Sequence, residues 1–250
     1  MVNSFSKSTS YGRRAKLGLI VPPTNTVNEA EWYKMVPDGV TIHVTRMPLH
    51  ADMSSDEGKK ALYSDIEKST LDLAQAGLSV IAYGCTAGSM VQSVDQLSEF
   101  MRGIAGIPCV TTAASIVEAL KVLDATKISV ATPYHEILNK HEVEFLSRNG
   151  FEVLKIAGLN IGEAGVHEYI EIARTPSDQI RSHVLSVDHP DAEAILISCT
   201  DFPSLALIPE LEQELGKPVI SSNQVTFWAA LRSAGIKDYF SDLGILLADI

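Results

Sequence analysis

Short apolar runs alternate along this chain with longer segments whose apolar positions recur at helical spacing. "KLGLIV" (16–21), "VTIHVTR" (40–46), "LSVIAY" (78–83) and "PCVTT" (108–112) predict strands. Between them, "SSDEGKKALYSDIEKSTLDLAQAG" opens on a serine cap, closes at Gly77 and places Leu62, Ile66 and Leu73 near helical spacing. "AASIVEALKVLDA" (113–125) predicts a second helix. The strands are nearly continuous in apolar character, as strands buried on both faces are. The fold class that follows is α/β, with mainly parallel sheets covered by helices.

The second half repeats the first. "TKISVATPYHEIL" (126–138) follows "AKLGLIVPPTNTV" (15–27) in pattern, and "AEAILISCTDFPSL" follows "LSVIAYGCTAGSM". "LGKPVISSNQVTFWAALRSAG" (215–235) follows "IAGIPCVTTAASIVEALKVLD" (104–124). Three elements recur in one order at an offset of about 110 residues, which indicates duplication. The domain reading is a disordered lead-in over residues 1–14, then a first lobe over 15–125. A second lobe spans 126–235, and the C-terminal segment 236–250 is assigned to the first lobe. In duplicated α/β folds ligands bind beyond the carboxyl ends of the strands, so two pseudosymmetric lobes would bring equivalent turns to one cleft.

Composition narrows the classes. The formal charge of −11 disfavours nucleic acid, which needs a basic surface. Three widely spaced cysteines are not a secreted disulfide framework. The Arg13-Arg14 pair is followed by an apolar run that stops at Pro22-Pro23, too short for an export signal. No apolar run approaches the roughly 18 residues that span a bilayer. The expectation is a cytoplasmic protein with no membrane partner.

Cys85 and Cys199 occupy equivalent turns, each just past an apolar strand and followed by Thr. Backbone N–H groups and a helix dipole at such a place can lower a thiol pKa. Cys109, inside "IPCVTT", reads as a core residue. A zinc site needs Cys-x-x-Cys or nearby histidines, whereas His135, His141 and His167 are scattered and read as surface or loop residues. No Gly-x-Ser-x-Gly elbow stands at a strand end, and "GLIVPPTN" has prolines where a dinucleotide loop has glycines. Paired thiols remain. Two thiols across a small ligand can move a proton from one face to the other, or one can add to carbon while the other protonates its neighbour. Either route builds an enediolate, which Thr86, Ala87, Thr200 and Asp201 would stabilise through hydroxyl and turn N–H groups.

From about residue 16 onward the chain resembles the aspartate/glutamate racemase superfamily, in the branch of maleate cis-trans isomerases and arylmalonate decarboxylases. The resemblance rests on "GLIVPPTNTVNEAE", "YGCTAGS", "ATPYHE", "LISCTDFPSL" and "GKPVISSNQVTFWAALRSAG". It implies two pseudosymmetric lobes with the site between them, no cofactor, no metal and a homodimer. It also implies that Cys85 is the nucleophile adding to a double bond and Cys199 the proton donor and acceptor. Asn25, in "PPTN", and Tyr134, in "ATPYHE", would bind a substrate carboxylate, and Asn160 is the candidate for a further asparagine. Asn25 could equally cap a helix, and Tyr134 could serve as a helix-entry aromatic.

Two turns depart from the isomerases. "CTAGSM" is small and polar, closer to the amino-acid racemases, and "CTDF" places Asp201 near the site, where it would favour an ammonium or cap the following turn. Isomerisation of a small carboxylic acid leads the alternatives. Racemisation of an amino acid or hydantoin uses the same two thiols. Decarboxylation of an arylmalonate needs only the second-half cysteine, and a two-lobed binding protein needs neither.

Overall fold

In a computed structural model, residues 10–50, 55–90 and 93–250 are described. The lead-in reading thus falls largely outside them, on residues 1–9. At Arg14 the chain is tied down: its N–H donates to the Gly39 carbonyl at 2.8 Å, and its guanidinium pairs with Asp238.

The first half runs β1 (Ala15–Val21), α1 (Asn28–Met35), β2 (Val40–Arg46), α2 (Asp56–Ala74), β3 (Val80–Tyr83), α3 (Thr86–Ser89), α4 (Gln96–Ala105), β4 (Cys109–Thr111) and α5 (Thr112–Val122). The second runs β5 (Lys127–Tyr134), α6 (Glu136–Arg148), β6 (Glu152–Ile161), a 3-10 helix (Val166–Arg174), α7 (Ser177–Ser186) and β7 (Ala194–Ile197). A short 3-10 turn (Leu205–Leu207), α8 (Ile208–Leu215), β8 (Val219–Ser221), α9 (Ser222–Ser233) and α10 (Ile245–Asp249) complete it.

Each half is a four-stranded parallel sheet, in the order β2-β1-β3-β4 and β6-β5-β7-β8. Strand for strand, the second order is the first renumbered, so the duplication and the parallel α/β class are both present. Period-two alternation sorts the first sheet's residues. Leu17, Leu19, Val21, Val80 and Ala82 join the central core with Ile116 and Leu120 of α5. Ile20, Ile81 and Tyr83 point the other way, against Leu62 and Ile66 of α2 and Leu97 and Met101 of α4. A face on each side explains the unbroken apolar runs.

Local chemistry sets the helix starts. Ser55 Oγ accepts the Gly58 N–H at 3.0 Å and opens α2 as predicted. The repeated Ser/Thr pairs divide their labour. The first hydroxyls, Thr111 and Ser221, cap α5 and α9 by accepting the N–H of Ala114 and Gln224. The second, Thr112 and Ser222, tie those helices to the ends of β3 and β7. Thr112 donates to the Tyr83 carbonyl at 3.2 Å, and Ser222 Oγ accepts the Cys199 N–H at 3.0 Å.

α9 joins the lobes. Ser222 through Leu231 are all buried, and the helix packs on α5, α1 and the ends of β3 and β4. Thr226 donates to Thr112 at 3.0 Å, and Trp32 of α1 meets Phe227 edge-on at 5.3 Å. The segment 236–250, assigned by sequence to the first lobe, makes most of its hydrogen bonds with the second half. Gln224 donates to the Leu243 carbonyl at 2.5 Å, Glu212 accepts the Ile245 N–H, and Arg232 reaches the Ile250 carbonyl. Its link to the first half is Asp238, through Arg14.

Candidate active site

Both strand-end cysteines line one cavity of about 100 Å³ at the carboxyl ends of the two sheets. Its wall includes Pro22, Thr24 and Asn25 after β1, Cys85 to Gly88 after β3, Tyr134 at the end of β5, and Cys199 to Asp201 after β7. Cys109 is elsewhere: it sits in β4 against the outer core of the first lobe, where burial pushes its thiol up to about 11.

Cys85 is half-buried and starts the single turn of α3. The Tyr83 hydroxyl and the Gly88 N–H lie beside its thiol and favour the thiolate. A Cβ on Gly88 would stand 2.9 Å from Cys85 Sγ and collide with the Tyr83 hydroxyl, so the small "TAGS" turn is what lets the thiol reach that N–H. Cys199 is buried and held at φ +126°, backbone strain of about 1–3 kcal/mol. The Ser222 hydroxyl fixes its N–H, the Tyr134 hydroxyl lies beside its sulfur, and the Asp201 N–H approaches the sulfur at 3.4 Å.

The expected lowering of the thiol pKa does not prevail. Burial pushes both thiols up and outweighs the donors, and at Cys199 the Asp201 charge adds to the rise. A one-turn helix has little dipole to set against desolvation. Both cysteines therefore rest as thiols, each beside a tyrosine hydroxyl and a backbone N–H.

Asn25 and the two threonines build the frame across the lobes. Asn25 Nδ2 donates to Thr200 Oγ1 at 3.1 Å, and Thr200 donates to the Gly84 carbonyl. Asn25 Oδ1 also accepts the Val27 and Asn28 N–H groups, so the residue both caps the entry to α1 and lines the cavity. Thr86 donates to Ser222 Oγ at 2.9 Å and thereby touches the group that holds Cys199. Asp201 caps a turn, but not its own: Oδ1 accepts the N–H of Thr26 and Val27 in the opposite lobe, and burial pushes its carboxyl up to about 6. Ala87 lines the wall beside Cys85.

Asn160 does not join this group. It is exposed on β6 at φ +59° and is absent from the cavity wall. His167 is exposed, while His141 is half-buried on α6 with its ring on the Met90 carbonyl at 3.0 Å. Among the described residues no three His, Cys, Asp or Glu side chains are grouped as a metal site. The sequence reading missed Tyr83, Tyr169 and His50. Tyr83 was in view two residues before Cys85, read only as a strand residue. Tyr169, in the long 3-10 helix, and His50, bonded to Asp65 at 2.9 Å, reach the cavity through tertiary folding alone.

Two thiols on equivalent strand ends of a duplicated α/β fold, each beside a tyrosine hydroxyl, are chemically able to transfer a proton and to add to carbon. The chain belongs to the arylmalonate decarboxylase family, whose model matches residues 17–247. It is 29% identical to the maleate isomerase of Nocardia farcinica, covering 93% of this chain and 95% of that protein. It is 27% identical to the arylmalonate decarboxylase of Bordetella bronchiseptica, covering 88% and 90%. A solved structure of a mutant Nocardia farcinica maleate cis-trans isomerase "with a covalently bound succinylcysteine intermediate" superposes with a TM-score of 0.83 at 27% identity, over 94% of this chain and 99% of that one. The aspartate/glutamate racemase resemblance, in its maleate isomerase and arylmalonate decarboxylase branch, therefore holds.

Proposed function

We propose that this chain isomerises a small unsaturated carboxylic acid, as maleate cis-trans isomerases do, with Cys85 as nucleophile and Cys199 as proton carrier. The observation that carries the reading is the pair of thiols on one cavity wall, each beside a tyrosine: Tyr83 for Cys85, Tyr134 for Cys199.

The steps balance. The Cys85 thiolate, its proton lost to solvent, adds to one carbon of the double bond while the Cys199 thiol gives its proton to the other. The products are a succinyl-type thioether and a Cys199 thiolate. The former double bond is now single and rotates. Cys199 then takes a proton back, the carbon–sulfur bond breaks, and the trans acid leaves with the Cys85 thiolate restored. Negative charge that gathers on the substrate carboxylate during both proton transfers meets the Tyr134 hydroxyl, the Asn25 amide and the N–H groups of the turn after Cys85.

Two arms test this. Cys199→Ser incubated with maleate is expected to accumulate an adduct on Cys85, read by mass spectrometry as the addition of one maleic acid. Cys85→Ser and Cys199→Ser are each expected to lose at least about a thousandfold in kcat/KM, read by proton NMR. Turnover within a few-fold of wild type in either variant sinks the two-thiol mechanism. Racemisation is the second reading, because two thiols on one cavity wall can also take a proton from one face of a carbon and return one to the other. Inversion of an enantiopure amino acid, read by chiral chromatography, would favour it. Among the described residues no helix is long and apolar enough to cross a membrane. The same reading carries a cytoplasmic location and a homodimer, the latter checked by sedimentation.

A further inference from the structure

Asp201, a residue of the cavity wall, holds one polar atom that lacks the partner its chemistry demands. Asp201 lines the cavity and is 6% exposed. Its Oδ1 is saturated by the N–H groups of Thr26 at 2.9 Å and Val27 at 3.2 Å. Its Oδ2 is buried and accepts nothing. A buried carboxylate oxygen left empty is costly, and such an atom in a ligand site marks the place of a donor.

The charges around the cavity restrict that donor further. No Lys or Arg lines the described wall. Its one basic side chain, His50, is already engaged by Asp65. A dicarboxylate would therefore bring its second negative charge beside Asp201 with no cation to balance it. The Asp201 charge also holds the Cys199 thiol up, against the thiolate that forms each time Cys199 gives away its proton. A nitrogen donor on the substrate would relieve both.

Resting on the isomerase reading above, we propose that Asp201 is a specificity-determining residue that accepts a hydrogen bond from a substrate N–H. The preferred substrate then carries one carboxylate, with an amide or ammonium nitrogen where maleate has its second carboxylate. Asp201 Oδ2 takes the nitrogen, while the carboxylate goes to the neutral donors, Asn25 and Tyr134.

Unreactive saturated analogues test this without requiring turnover. Calorimetry with wild type is expected to show succinamate binding at least about tenfold tighter than succinate. Asp201→Asn keeps an acceptor for the Thr26 and Val27 N–H groups but loses the charge, and is expected to bring the two affinities within about threefold. Should that variant fail to fold, Asp201→Ser reads the same ratio. 4-Aminobutanoate, as a third saturated ligand, separates ammonium from amide. Equal or tighter binding of succinate by wild type, an unchanged ratio in the variant, or no binding of any analogue up to roughly 10 mM overturns the proposal. The adduct on Cys85 in Cys199→Ser is read separately with maleamate and with maleate, so a failed isomerase reading, with no adduct from either, and a failed Asp201 subsite give different results.

Discussion

Glu142 of α6 is 1% exposed, and neither carboxyl oxygen has a hydrogen bond of good geometry. Burial pushes its pKa up to about 7, partly offset by the approach of Ser198, the residue before Cys199. The folded protein therefore keeps a proton that the unfolded chain releases near 4.5. Stability from this residue is full below that pH and falls as the pH rises toward 7, a loss on the order of 2–3 kcal/mol. Glu142→Gln is expected to flatten this fall, so urea denaturation at pH 5 and pH 8 should separate wild type and variant at pH 8 only. What sequence revealed at this scale was what strand-end position reveals. Cys85, Cys199, Asn25 and Tyr134 follow or end apolar runs, and all four line the cavity. Glu142, Tyr169 and Asn160 lie on elements whose packing depends on distant partners. The first two proved buried or site-facing and the third exposed, with nothing local to tell them apart.

At the scale of elements, the two lobes exchange carboxylates. Asp201, after β7, caps the entry to α1, and Glu31, on α1, caps the short 3-10 turn after β7. Glu31 accepts the N–H groups of Ser204 and Leu205, both at 2.9 Å, and the Asn223 amide at 2.7 Å. Glu31→Ala leaves those three donors buried and unmatched and is expected to cost about 3 kcal/mol, measured by chemical denaturation. α1 itself escaped the sequence reading. Its eight residues have little amphipathic pattern, and the acidic residue that would normally mark a solvated first turn, Glu31, is instead buried by a contact more than 170 positions away. α2, with its serine cap and apolar stripe, carried its own signal.

For the molecule as a whole, the repeated strand order was legible because duplication leaves a long-period echo in the sequence. The joining of the halves was not, since α9 looks like an ordinary apolar helix until α5 and α1 are set against it. One continuous core runs through both sheets, including Leu17 and Leu19 of the first and Val130 and Leu196 of the second. Thermal unfolding is therefore expected as one cooperative transition, with far-ultraviolet and tryptophan signals coincident; two separated steps would contradict a shared core. The exchanged carboxylates carry a last consequence. Swinging the lobes apart would uncap both helix starts at once and strand Glu31 and Asp201 beside nothing. These lobes are thus latched, not hinged, and the cavity that Met47 to His50 and Tyr169 help to line is held between fixed walls.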